Sequence, residues 1–184
     1  MNMRARLTLL AIVALLALSA AVRAQGDDIF SPEAEAREVK ALSRLRPADK
    51  LKVRRAFESL RNALAVSSVS SDPQEIARAS GDAGRATDAA EMVIPDGVLK
   101  GSLGACKKAL GHYFILRLFN AGNLRVKLPP EDDIEAIALR YQLASVPAYD
   151  RPARVLEHAR AYLLIADGIS ARAGIVRRGV KPRK

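Results

Sequence analysis

The chain has 184 residues, 49% of them hydrophobic and only 4% aromatic with no Trp, and it carries a formal net charge of +10. A single Cys excludes an intramolecular disulfide, and two His leave too few nitrogen and sulfur ligands for a tetrahedral zinc centre. Ala and Leu dominate while the aromatic residues that sandwiches and barrels favour are scarce, so the expected fold class is all-α, a single-domain bundle of about five to six helices.

The amino-terminal stretch has the three-part layout of a secretory signal. Arg4 and Arg6 precede an uncharged apolar run from Leu7 to Ala21, and small or branched residues follow around Ala24, where cleavage is expected. The run is shorter than the roughly 20 apolar residues that a membrane span requires. No later stretch is long and apolar enough to cross a bilayer. This gives a signal peptide over 1–24, a helical domain over 25–176 and a basic disordered tail over 177–184. The localisation that follows is periplasmic or secreted.

The first helix opens at "SPEAEAREVKALSRLR", with Ser31 as N-cap, Pro32 in the first helical position, and Glu33 and Glu35 near the positive end of the dipole. Val39, Leu42 and Leu45 form its narrow apolar stripe, and Pro47 restarts the chain as a second helix. There Val53, Phe57, Leu60 and Leu64 recur at helical spacing until a Ser-rich turn at 67–71. Asp72 and Glu75 bracket Pro73 at capping-box spacing and open a third helix. Its apolar side is small, with Ala79, Ala83, Ala86 and Ala90. Gly81 and Gly84 each cost about 1 kcal/mol relative to Ala, so the helix is expected to be weakened there.

After the turn at "PDG", Leu99, Leu103, Cys106, Leu110 and Phe114 share one face of a helix from Val98 to about Ala121, with Gly122 as its C-cap. Cys106 is then a small hydrophobe in an apolar stripe. His112 stands about 120° around the helix and about 9 Å along it, too far to share a metal or an activated thiol with Cys106. The reading of His112 is a helix residue at the core boundary. As an alternative, residues 112–128 could form one small β-hairpin, because Leu124, Val126 and Leu128 alternate with Arg125 and Lys127.

A further helix begins at "PPEDDIEAIALRYQLASV", where Glu131, Asp132, Asp133 and Glu135 compensate the helix dipole and lack the ligand alternation of a calcium loop. The last helix runs from about Asp150 to Ala173, with Val155, Ala159, Tyr162, Ala166 and Ile169 inward, Leu163 and Leu164 widening that face, and His158 on its flank. Neither His stands three residues after a Glu, as di-iron bundles require. Nucleophile elbows, phosphate loops, dinucleotide fingerprints and H-E-x-x-H helices do not occur in the sequence. No cofactor and no catalytic residue are assigned.

Charge carries the remaining information. Without Arg4, Arg6 and Arg23 the formal charge falls from +10 to +7, and it is unevenly placed. Nine bases face only Glu38, Asp49 and Glu58 between Arg37 and Arg61, and after Asp167 six bases meet no acid. The candidate binding residues are Arg37, Lys40, Arg44, Lys50, Arg54, Arg55 and Arg61. Their positive potential suits an acidic protein client, a lipid head group or lipopolysaccharide. Nucleic acid is disfavoured by export and by the lack of stacking aromatics among the bases.

The segment "LRPADKLKVRRAF" resembles the L-T-x-x-Q segments of small periplasmic helical chaperones and metal-stress proteins over about a dozen residues. It departs from that pattern with Arg46 for Thr and Asp49 for Gln, so no family is assigned. The functional expectation is a non-catalytic envelope protein that binds an acidic partner through its basic helices. Two alternatives stand beside it. One is a small-molecule binder or enzyme with a pocket near Tyr113, Arg117, Tyr141 and Tyr162. The other is a structural subunit that assembles through the Ala/Gly-rich helix at 76–90.

Overall fold

The computed structural model describes residues 31–124 and 127–176. The expected signal peptide, Arg125, Val126 and the basic tail lie outside the described residues. Within them the chain forms six α-helices: α1 (Pro32–Ser43), α2 (Pro47–Val69), α3 (Pro73–Glu91), α4 (Val98–Asn120), α5 (Ile134–Arg140) and α6 (Arg151–Arg172). Single 3₁₀ turns at Pro130–Asp132 and Ala148–Asp150 precede α5 and α6. The described residues contain no strand, which confirms the all-α class. The hairpin alternative gives way to a helix because the apolar stripe of α4 continues past Phe114 to Leu116, which is buried against the core.

Local chemistry starts and stops these helices much as the sequence suggests. Ser31 Oγ accepts the Ala34 N–H at 3.1 Å, and Asp72 Oδ1 accepts that of Gln74 at 2.8 Å. Glu75 completes the start of α3 through a relay, because the Ser70 hydroxyl accepts the Asp72 N–H and donates to the Glu75 carboxylate. At the other ends, α4 is followed by Gly122 at φ +68° and α6 by Gly174 at φ +67°. Ile175 N–H donates back to Ser170 O at 2.9 Å, and the turn tucks Ile175 into the core. Only a residue without a Cβ enters that left-handed conformation freely.

Packing makes two close pairs, α2 with α3 and α4 with α6, and α4 also lies against α3 and α2. One core cluster draws on all six helices, from Leu42 of α1 through Phe57, Ile76, Leu103 and Ile137 to Val155 of α6. Helix α3 runs as one helix through Gly81 and Gly84, with the buried Ala79, Ala83 and Ala90 beside them in the core. Two details differ from the sequence reading. Helix α5 is a seven-residue piece that ends at Arg140, with Gln142 at φ 56° turning the chain away. Leu163 is inward as expected, but Leu164 is 71% exposed on the outward side of α6.

The start of α4 is the least local feature. Its N-cap residue, Gly97, has no side chain to offer, and the first two N–H groups are capped from outside the helix. Glu38 of α1 accepts from Val98 N–H at 3.0 Å and from Leu99 N–H at 2.8 Å, one on each carboxylate oxygen. Its negative charge thereby meets the positive end of the α4 dipole in a buried site. A Cβ on Gly97 would lie 2.6 Å from the carboxyl carbon of Glu38, so glycine is required for this approach.

Removing a buried acceptor from two donors costs about 1–3 kcal/mol. Glu38→Ala is therefore expected to lower the unfolding free energy from urea titration by that amount, and Gly97→Ala to do the same by pushing Glu38 away. The two effects are expected to be strongly non-additive, with Gly97→Ala costing little once Glu38 is Ala. Additive losses in a double-mutant cycle would show that the glycine serves another purpose.

Candidate functional site

The corner where α1 turns into α2 carries the run of basic residues from Arg37 to Arg61. Buried Leu42 and Glu38 set the inward side of α1, which leaves Arg37, Lys40 and Arg44 on its outward flank. On α2 the buried positions Val53, Ala56, Phe57 and Leu60 set the inward side. Arg55 then points to solvent, while Lys50, Arg54 and Arg61 follow one edge.

The seven residues singled out by sequence divide into two groups. Lys50 Nζ donates to Ser43 O at 2.7 Å, satisfying the last carbonyl of α1. Arg54 Nε donates to Ile175 O at 2.6 Å, and Arg61 Nη2 pairs with Asp167 Oδ1 at 2.5 Å. All three therefore hold the bundle together, with Arg54 at the negative end of the α6 dipole. Arg37 is exposed, and its Nε makes a long 3.4 Å bond to Glu33 O within α1. Lys40, Arg44 and Arg55 are exposed and meet no carboxylate among the described residues.

Two bases omitted from that set complete the corner. Arg46 and Lys52 flank Asp49, at 2.7 and 3.7 Å from its carboxylate oxygens. The hydrogen bond from Arg46 holds the Asp49 carboxyl below its ordinary range and, reciprocally, raises the guanidinium of Arg46. Asp49 is nearly buried while Arg46 is 81% exposed, so the acid faces inward and its partners face out. The positions where the sequence departs from the L-T-x-x-Q pattern, Arg46 and Asp49, are thus partners of each other. Their i, i+3 spacing was the available signal.

A second polar cluster lies inside, between α4, α5 and α6. His112 is fully buried, not at the boundary where the sequence placed it. Its Nε2 lies 2.9 Å from Asp132 Oδ1 and its Nδ1 3.0 Å from Tyr141 Oη. With Asp132 ionised, Nε2–H donates to the carboxylate, and Nδ1 accepts the Tyr141 hydroxyl proton. Asp132 therefore serves His112, a role its place among the acids at the start of a helix did not show. Tyr141 stands edge-on to His112 and at 5.2 Å from the half-buried ring of His158.

Burial lowers the pKa of His112 against the opposing pull of Asp132, and burial likewise lowers His158 despite Glu157. Burial raises Tyr141. The same surroundings push the Cys106 thiol up to about 12. The hydrogen bonds of His112 and Tyr141 are made within the protein, and Cys106 is buried.

Of the four residues grouped as a pocket from sequence, Tyr113 and Tyr141 are buried in the core and Arg117 and Tyr162 are half-buried. Tyr113 is buried, donating to Ser67 O and accepting from Arg117 Nη1 at 3.1 Å, and Tyr141 is engaged by His112. No group of three or more His, Cys, Asp or Glu suited to a metal occurs among the described residues. No helix among them is long and apolar enough to cross a membrane. The small-residue face of α3, the other alternative, packs on α2 and α4 of the same chain.

What fold and site define together is an all-α bundle with a cationic corner and a closed interior. No family model matches the chain, and neither a curated protein nor a solved structure matches it.

The interior cluster makes stability depend on pH with a definite sign. Both imidazoles titrate below the ordinary 6.5 in the folded chain, so on acidification the unfolded chain takes up protons first. Their contribution is complete above about pH 6.5 and is lost as the pH falls through the depressed folded values. Urea midpoints from pH 8 to 5 are expected to fall in the native chain and to stay nearly level in a His112→Gln/His158→Gln double variant. An unchanged slope in that variant would assign the acid sensitivity to other groups.

Proposed function

We propose that this chain is an exported, non-catalytic helical protein that binds an acidic partner through the cationic corner of α1 and α2. The observation that carries the reading is the division among the bases. Lys50, Arg54 and Arg61 are committed to the fold, whereas Lys40, Arg44 and Arg55 face solvent without a carboxylate among the described residues. Like charges held close together weaken the folded state unless something opposite meets them. Export is supported by the layout of residues 1–24, and a non-catalytic role by the burial of His112, Tyr141 and Cys106 in the core.

Two variants of equal charge separate the roles. Lys40→Gln/Arg44→Gln/Arg55→Gln is expected to leave stability within about 0.5 kcal/mol, as for ordinary surface changes. It is also expected to abolish retention on polyglutamate and on anionic vesicles at low salt. Lys50→Gln/Arg54→Gln/Arg61→Gln is expected to lower the thermal midpoint, with a loss of about 1 kcal/mol at Arg54 alone, and to keep binding. Retention that is insensitive to salt, or equal in the two variants, would remove the proposal.

A further inference from the structure

The cationic corner contains one residue that charge does not explain. Leu51, in the second turn of α2, is 45% exposed although its neighbours Lys50 and Lys52 are charged. The outward stripe to which it belongs reads Ala48, Leu51, Arg55, with Arg44 and Arg46 in the turn just before it. The acids nearby are Asp49, turned inward between Arg46 and Lys52, and Glu58, one turn beyond Arg55. A partly exposed apolar side chain thus stands among exposed bases near the start of α2, where two proline-started helices meet.

A polypeptide of acidic residues alone, such as polyglutamate, can satisfy the cations but offers no apolar partner to Leu51. A bilayer surface offers both layers in the right order, phosphates outermost and hydrocarbon a few ångströms below. We infer that the partner is an anionic phospholipid surface, on which Arg44, Arg46, Lys52 and Arg55 contact head-group phosphates while Leu51 enters the boundary of the acyl region. This inference rests on the proposed function and narrows its partner to one class. Attachment is peripheral, since each Lys or Arg near the surface strengthens partition only about fivefold and a single leucine buries little area.

The chain has no Trp, so one introduced at the corner reports alone. Leu51→Trp is expected to shift its emission to the blue with phosphatidylglycerol vesicles and not with phosphatidylcholine vesicles. Leu164→Trp, on the outward side of α6, is expected to stay unchanged. In the Leu51→Trp background, Arg44→Gln/Arg55→Gln is expected to lower partition about 25-fold, and in the otherwise native chain Leu51→Ser is expected to weaken co-sedimentation without changing the thermal midpoint.

Co-sedimentation of the Leu51→Trp variant with no change in its emission would overturn the inference, as would a shift from the Leu164→Trp variant instead. Binding to polyglutamate but not to anionic vesicles would overturn it while leaving the acidic-partner reading in place. Binding to neither would remove both.

Discussion

The carboxylate of Glu38 closing on the first two N–H groups of α4 is the contact on which the arrangement turns. Helix α4 touches α2, α3 and α6, so fixing where it begins fixes the register of the bundle's centre. The same contact orders the surface. Glu38 shares α1 with Arg37 and Lys40, with Arg44 at its C-cap, and on the outward side it would neutralise them. Drawn under the end of α4, its charge is answered by the helix dipole, and the outer flank of α1 is left positive. Asp49 repeats the device on α2, buried between Arg46 and Lys52. The cationic corner is thus produced by where the acids go, as much as by how many bases there are.

What could be read in the sequence was local. The stripes of α1, α2 and α4, that of α6 apart from Leu164, the Ser31 and Asp72 caps and the burial of Cys106 all follow from spacing within one helix. What escaped depends on partners distant in the chain. Glu38 meets residues 60 positions later, and His112 meets Asp132 and Tyr141 from beyond the end of its own helix. Asp132 has the composition of a dipole-compensating acid, and nothing in its spacing reveals an imidazole 20 residues upstream. Leu164 fails for another reason: an apolar residue at the edge of a stripe is permitted on either side, and the width of the α4–α6 contact decides.

The bases show the same limit more sharply. Arg54 and Arg55 are adjacent and chemically identical, yet one anchors the Ile175 carbonyl and the other faces water. A rotation of one residue along α2 separates a structural cation from a free one, and that rotation is set by Val53, Phe57 and Leu60 beneath them. A net charge therefore overstates the surface available for binding.

Cys106 has no exposed area, and burial pushes its thiol up to about 12. Such a sulfur is invisible to alkylating reagents and oxidants while the helices stay closed, because they react with an accessible thiolate. Every modification event then marks a moment when the core around α4 had opened. The chain so carries, in a residue with no chemistry of its own, an internal counter of how often its centre opens.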